Sequence, residues 1–387
     1  MTLKLFNMRL MKGRLFMKES ALNSRNSSIE LLKIIAIVGI VVSHVVQTLL
    51  IPEGGGNAAW RVDYSIATLD IGSWVLVFLR TLGAFGNSIF VVASSWFLAA
   101  DDSVKSKKIA HILIDVFVIS IVILLVCISI GIRPDAKTLI KCVLPTTFCN
   151  NWFVTSYLML YAIHACLNRM YDSIGKRHHA FLCLGLITFY MFIPMFTPGL
   201  FFSTEFIVMV SMYTVVAYLR RYASSWINNR AFNAKLVLCG LCATCFLIML
   251  LEIAGVHFGF LADKMLHFDF DGNPFLFIAS VGLFNLARLN PFSCSAINAL
   301  SSTSLYVYLI HENLLVRQFI RPAIWTYIYD AFGYMFLFFW IAVLSIFIFT
   351  VSVLLSLLYL NTLGIKIDRV SQAATECLSR LSSGICR

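Results

Sequence analysis

Residues 29–51, IELLKIIAIVGIVVSHVVQTLLI, form an apolar run long enough to cross a bilayer. The run carries Glu30 and Lys33 near its start and His44 well inside. In lipid every backbone polar group must be satisfied within the segment, so such a run folds as a helix. Ionisable side chains within it cost free energy and by default point to function. Lys33 and His44 are eleven residues apart, which at ~100° per residue returns nearly to one face, with a rise of ~16 Å. One stripe of this helix therefore presents a cation near one membrane surface and an imidazole deeper in.

The rest of the chain repeats the pattern. Of its 387 residues 60% are hydrophobic and 13% charged, with a mean hydropathy of +0.86. Soluble domains sit nearer half apolar and a quarter charged. Further spans are expected at 82–100, 109–131, 151–168, 236–255, 274–289, 299–318 and 334–360. Two more form a hairpin around Pro194–Gly199 that ends at Arg220 and Arg221. The expected fold is an all-α integral membrane protein, a bundle of about ten transmembrane helices. A basic leader (1–28) precedes the bundle (29–360) and a polar tail (361–387) follows it.

Ten spans put both termini on one side. That side carries the leader, Lys105, Lys107, Lys108, Arg169, Lys176, Arg177, Arg220, Arg221 and the tail. The other side holds the sparser set Arg61, Arg80, Arg133, Lys137, Lys141, Lys264, Arg317 and Arg321. The positive-inside rule then places both termini in the cytoplasm. The net charge of +11 falls between apolar segments, which fits anionic lipid and orientation rather than nucleic acid. The cysteines lie mostly inside apolar runs, with no ligand spacing for a metal. Cys142 and Cys149 share one outer loop and can pair.

His44 can serve as a general base, because an imidazole titrates near working pH, or as a structural hydrogen-bond donor. Lys33 with Glu30 at i−3 reads either as a helix-surface pair or as a cation holding an anionic group. Lys105, Lys107 and Lys108 follow from topology alone, yet also suit a phosphate-bearing ligand. Asn150, Asn151 and Trp152 open the span at 151–168, with Tyr157 and Tyr161 further along. Amides beside aromatic faces are common in sugar sites, although an interfacial aromatic belt also explains Trp152. The span at 299–318 holds His311, Glu312 and Asn313 in succession, a placement that is expensive unless they face a cavity or the bundle interior.

Together these segments resemble the membrane acyltransferase type 3 family, integral-membrane O-acyltransferases of bacterial surface polysaccharides. The family's first motif is an acidic residue, an arginine three later and a histidine eleven after that; here it stands as Glu30, Lys33 and His44. The second reads here as FVVASSWFL, Phe90 to Leu98, with Ser94 kept and Ser95 where glycine is common. Lys105 and Lys108 fit the basic pair that follows. NWFVTSYLMLY from Asn151, with Asn168 beyond, and SSTSLYVYLIHENLLVR from Ser301 complete the likeness, which covers about residues 28–360.

The resemblance implies transfer of an acyl group, usually acetyl, from cytoplasmic acyl-coenzyme A to a hydroxyl of a glycan or lipid-linked saccharide. It implies catalytic roles for His44, Lys33 and Glu30, and a donor side at Lys105, Lys108 and Ser94. Acyl-coenzyme A is then a substrate, with no permanently bound cofactor and no metal, in a bacterial inner membrane. The acceptor side is expected at Asn151, Trp152, Tyr157, Tyr308, His311, Glu312 and Asn313. Lysine in place of arginine at 33 loses the planar fork, and Ser95 adds a side chain where helices approach. A transporter or flippase of a glycan or lipid using the same polar groups, and an inactive family member, stand as alternatives.

Overall fold

The computed structural model describes residues 25–50, 71–197, 204–261 and 264–364, with 367 and 370–373. Most of the basic leader, the loop after the first span and most of the polar tail lie outside the described residues. Helices α1 (Ser27–Leu50), α2 (Ile71–Leu98) and α3 (Ser106–Ser129) come first. A short α4 (Ala136–Val143) precedes α5 (Trp152–Ile187), which continues through a π-turn to Phe196. Then follow α6 (Glu205–Tyr222), α7 (Arg230–His257), α8 (Pro274–Leu289), α9 (Ser295–Ser301), α10 (Ser304–His311), α11 (Arg321–Phe332) and α12 (Leu337–Asn361).

Six stretches among the described residues are long and apolar enough to cross a membrane: α1, α2, α3, Trp152–Phe196, α7 and α12. The 45-residue stretch Trp152–Phe196 is two arms rather than one rod. Gly175 takes φ +71°, and the rings of Tyr171 and His179 stack across it at 4.4 Å. In a straight helix residues eight apart lie ~12 Å apart along the axis. The chain therefore bends sharply in the basic segment expected to separate two spans.

Helix α2 is central, packing against α1, α6 and α8. It meets α1 at glycine: a Cβ on Gly86 would lie 2.5 Å from the Ala36 carbonyl, and one on Gly83 would lie 2.4 Å from Ser43 Oγ. Small residues permit this approach, as is usual between helices in lipid. Because the helices are that close, α2 also sets where His44 stands. Ser95 is fully buried, so the bundle accommodates its side chain.

Three expectations change. Helix α2 begins at Ile71 rather than near 82, because Arg80 is neutralised inside the bundle: Nη2 meets Asp269 Oδ2 at 3.0 Å and Nη1 donates to Ser43 Oγ at 2.6 Å. The span at 299–318 is broken into α9, α10 and the π-turn Val316–Ile320. Ser302 and Thr303 interrupt it, and Asn313 Oδ1 accepts the Leu315 N–H, drawing the backbone out of the helix. Cys142 and Cys149 are free thiols, the first buried and the second exposed.

One polar cluster has no counterpart in the sequence expectations. Asp115 on α3 is fully buried and accepts from Tyr306 Oη at 3.0 Å and Tyr359 Oη at 2.6 Å. His111 Nε2 lies 3.4 Å away, one turn earlier on α3. A carboxylate left alone there would be costly; satisfied by two phenols, it ties α3 to α10 and α12.

Candidate functional site

The break after α10 gathers the expected polar residues. His44 Nδ1 lies 2.9 Å from Glu312 Oε2 and 3.1 Å from His311 Nε2. His311 Nδ1 is 2.6 Å from the Val307 carbonyl. A carbonyl only accepts, so His311 Nδ1 carries the hydrogen and its Nε2 is bare. His44 Nδ1 therefore carries the hydrogen that faces both His311 Nε2 and the carboxylate. In a neutral imidazole the other nitrogen, His44 Nε2, is then left with a lone pair. It makes no hydrogen bond among the described residues.

Two arginines hold the carboxylate. Arg317 Nη1 donates to Glu312 Oε1 at 3.1 Å and Arg321 Nη2 to Oε2 at 2.8 Å. Arg321 also donates to the His44 carbonyl at 2.7 Å, so one buried guanidinium links the carboxylate to the helix bearing the histidine. Charge-assisted bonds of this kind are the strong ones. Sequence reading placed Arg317 and Arg321 in a loop set; only their pairing shows their place in the site. The ligand atoms of His44, His311 and Glu312 lie within 4.8 Å of one another, close enough to hold a metal ion. The two guanidiniums already neutralise the carboxylate, which disfavours a further cation.

At the other end of the α1 stripe Lys33 Nζ meets Glu30 Oε1 at 3.1 Å, while Glu30 Oε2 accepts from Ser301 Oγ at 2.5 Å. Glu30 thus anchors Lys33 and joins α1 to α9. Ile37 and Ile40 fill the same stripe at i+4 and i+7 from Lys33. Both line a cavity of ≈ 90 Å³, with Asn87, Phe90, Phe153, Ser304 and Tyr308 on its other walls. Open space therefore lies between the cation and the imidazole.

The remaining candidates divide between the two ends. Lys108 Nζ donates to Tyr157 Oη at 2.7 Å and sits 4.4 Å from the centre of the Tyr161 ring. The Lys105 backbone N–H donates to Tyr161 Oη. Tyr157 is thereby grouped with the basic set rather than with Glu312. Ser94 lies eleven residues along α2 from Gly83, which faces Ser43; that is ~16 Å, so Ser94 belongs to the Lys33 end and is out of reach of His44. Tyr308 packs edge-on to His311, with ring centres 6.2 Å apart. Trp152 meets Phe153 edge-on. Asn151 is buried, its Nδ2 without a partner among the described residues, and Asn313 is occupied in its own turn.

An imidazole oriented by a carboxylate, inside a bundle of long apolar helices, defines a polytopic membrane protein with a buried polar centre. The acyltransferase 3 family, described by its acyltransferase domain, matches residues 26–359. The chain belongs to this family and is a membrane acyltransferase. Comparisons with curated proteins and with solved structures returned no match.

Proposed function

We propose that this chain transfers an acyl group, acetyl in the simplest case, from cytoplasmic acyl-coenzyme A to a hydroxyl of a glycan or lipid-linked saccharide in the bacterial inner membrane. Ten crossings with both termini cytoplasmic complete this reading. The six long apolar stretches, the two arms within Trp152–Phe196 and the shorter α6, α8 and broken α9–α11 region are compatible with it. The hydrogen-bonded pair of His44 and Glu312 is the observation that carries the chemistry.

His44 Nε2 accepts the proton of the acceptor hydroxyl as its oxygen attacks the thioester carbonyl. A tetrahedral intermediate forms, then collapses as the carbon–sulfur bond breaks. The leaving coenzyme thiolate takes the proton from the imidazolium, so His44 is restored. Glu312 holds the tautomer that exposes Nε2 and balances the imidazolium charge, while Arg317 and Arg321 hold the carboxylate in place. The ~16 Å stripe suits a long donor. Its phosphates rest near Lys33, Lys105 and Lys108, and its pantetheine arm runs along the cavity at Ile37 and Ile40.

The test is acetyl transfer from labelled acetyl-coenzyme A by the purified protein in lipid nanodiscs, together with mass spectrometry of glycans from cells with and without the gene. His44→Ala, still inserted and folded, is expected to lose transfer and the glycan ester. Retained transfer in that variant sinks the mechanism.

A further inference from the structure

Beside the larger cavity lies a second, sharing Asn87 and Phe153 as common walls. Its volume is ≈ 10 Å³, about what one water oxygen requires. Its polar walls are Asn87, Ser88, Glu205 and Asp271, and Trp152 closes one side. Asp271, in the connection between α7 and α8, accepts from Asn87 Nδ2 at 2.7 Å. Ser88 is 1% exposed, and among the described residues its hydroxyl has no hydrogen-bond partner. A buried hydroxyl without a partner costs free energy, and Ser88 lines a space of one hydroxyl's size.

We propose that this small cavity receives a second, non-reacting hydroxyl of the acceptor sugar, with Asp271 and Ser88 as the residues that read it. The reading rests on the acyl-transfer function above. The two substrates meet in the larger cavity: the donor's thioester end lies on the Ile37 and Ile40 side and the acceptor's sugar on the Phe153 and Tyr308 side, one ring contact from His311. From there a substituent hydroxyl reaches Asp271. Burial, with like charge from Asp269 and Glu205, pushes the Asp271 carboxyl up to about 7 against the pull of Asn87 and Arg80. Near neutral pH it can thus both accept from and donate to a hydroxyl, as Ser88 can. Trp152 offers an apolar face beside them, the usual companion of polar groups in a ligand pocket.

The experiment gives the nanodisc-embedded protein acetyl-coenzyme A and a panel of methyl and decyl glycosides of glucose, galactose, mannose and N-acetylglucosamine. Each sugar is paired with its monodeoxy derivatives. The wild type is expected to prefer one glycoside over the derivative lacking one non-reacting hydroxyl by roughly 10–100-fold, the worth of a hydrogen bond to a charged group. Asp271→Leu and Ser88→Ala should erase that preference by raising the KM of the full glycoside, with the KM for acetyl-coenzyme A unchanged. Asp271→Asn, which keeps an oxygen acceptor, should retain most of it. Wild-type transfer with the preference intact in both Asp271→Leu and Ser88→Ala overturns this inference alone. No transfer to any glycoside overturns it together with the acyl-transfer reading.

Discussion

His44 Nδ1 stands 2.9 Å from Glu312 Oε2, and the same oxygen accepts from Arg321 at 2.8 Å. One carboxylate oxygen therefore serves the imidazole and a buried guanidinium together. His44→Gln, which keeps the size but not the basicity, should lower kcat by roughly 10²–10⁴-fold. Glu312→Gln should lower kcat with little change in either KM, because it weakens the counter-charge to an imidazolium present only during reaction. Steady-state kinetics on both variants check this; a change confined to KM would contradict the role given to Glu312.

Glu312→Ala should behave differently from Glu312→Gln. It strips the partner from Arg321, which is 4% exposed. Breaking a buried pair from one side costs about 3–5 kcal/mol. The expected result is a large loss of folded protein in a mixed-micelle unfolding assay, well beyond that of the glutamine variant.

Asp115→Ala should destabilise the bundle without touching chemistry. It leaves Tyr306 Oη and Tyr359 Oη without their acceptor, at about 1–3 kcal/mol for each buried group. Unfolding monitored by tryptophan fluorescence should report the loss, while kcat per folded molecule stays near wild type. A selective fall in kcat would place Asp115 in the reaction instead.

Gly86→Ala and Gly83→Ala separate two kinds of crowding. At position 86 the new methyl meets a backbone carbonyl, so α1 must shift; at 83 it meets a serine side chain, which can turn at the cost of its bond to Arg80. Overpacking costs about 1–3 kcal/mol. Gly86→Ala is expected at the upper end, with a fall in kcat as His44 moves. Equal effects on stability and rate from the two substitutions would refute the backbone argument.

The Asp271 carboxyl fixes the sign of a pH effect. Its folded pKa of about 7 lies above the ordinary 3.8, so between these values the folded state binds more protons than the unfolded. Stability is then full below about pH 4 and falls as pH rises through 7. Asp271→Asn removes this dependence. The Tm of the variant minus that of wild type should grow from pH 5 to pH 8 and level off beyond. A difference that is flat or reversed in sign across this range counts against the assignment.

Much of the candidate site was legible in the chain because intramembrane polarity is conspicuous: Glu30, Lys33, His44, His311 and Glu312 all interrupt apolar runs. What hydropathy misses is neutralisation. Arg80 read as lying just outside a span because its partner, Asp269, is far along the sequence. Arg321 read as a flanking charge because the carbonyl it bonds belongs to His44, 277 positions away. Asp115 gave no motif at all, since its meaning depends on two tyrosines from distant helices. Nothing local marked the partner of Tyr157, since Lys108 lies 49 positions away.

By itself the sequence determined that this chain spans a membrane as helices, and that a lysine and a histidine share one helical face ~16 Å apart. Those facts follow from local composition and the 3.6-residue repeat. The tertiary structure alone decided which imidazole nitrogen is left free, because that depends on Glu312 and His311 arriving from 267 or more positions away. It decided, too, that the helix at 299–318 breaks. Only the broken backbone lets a carboxylate, two arginines and a second histidine converge on His44.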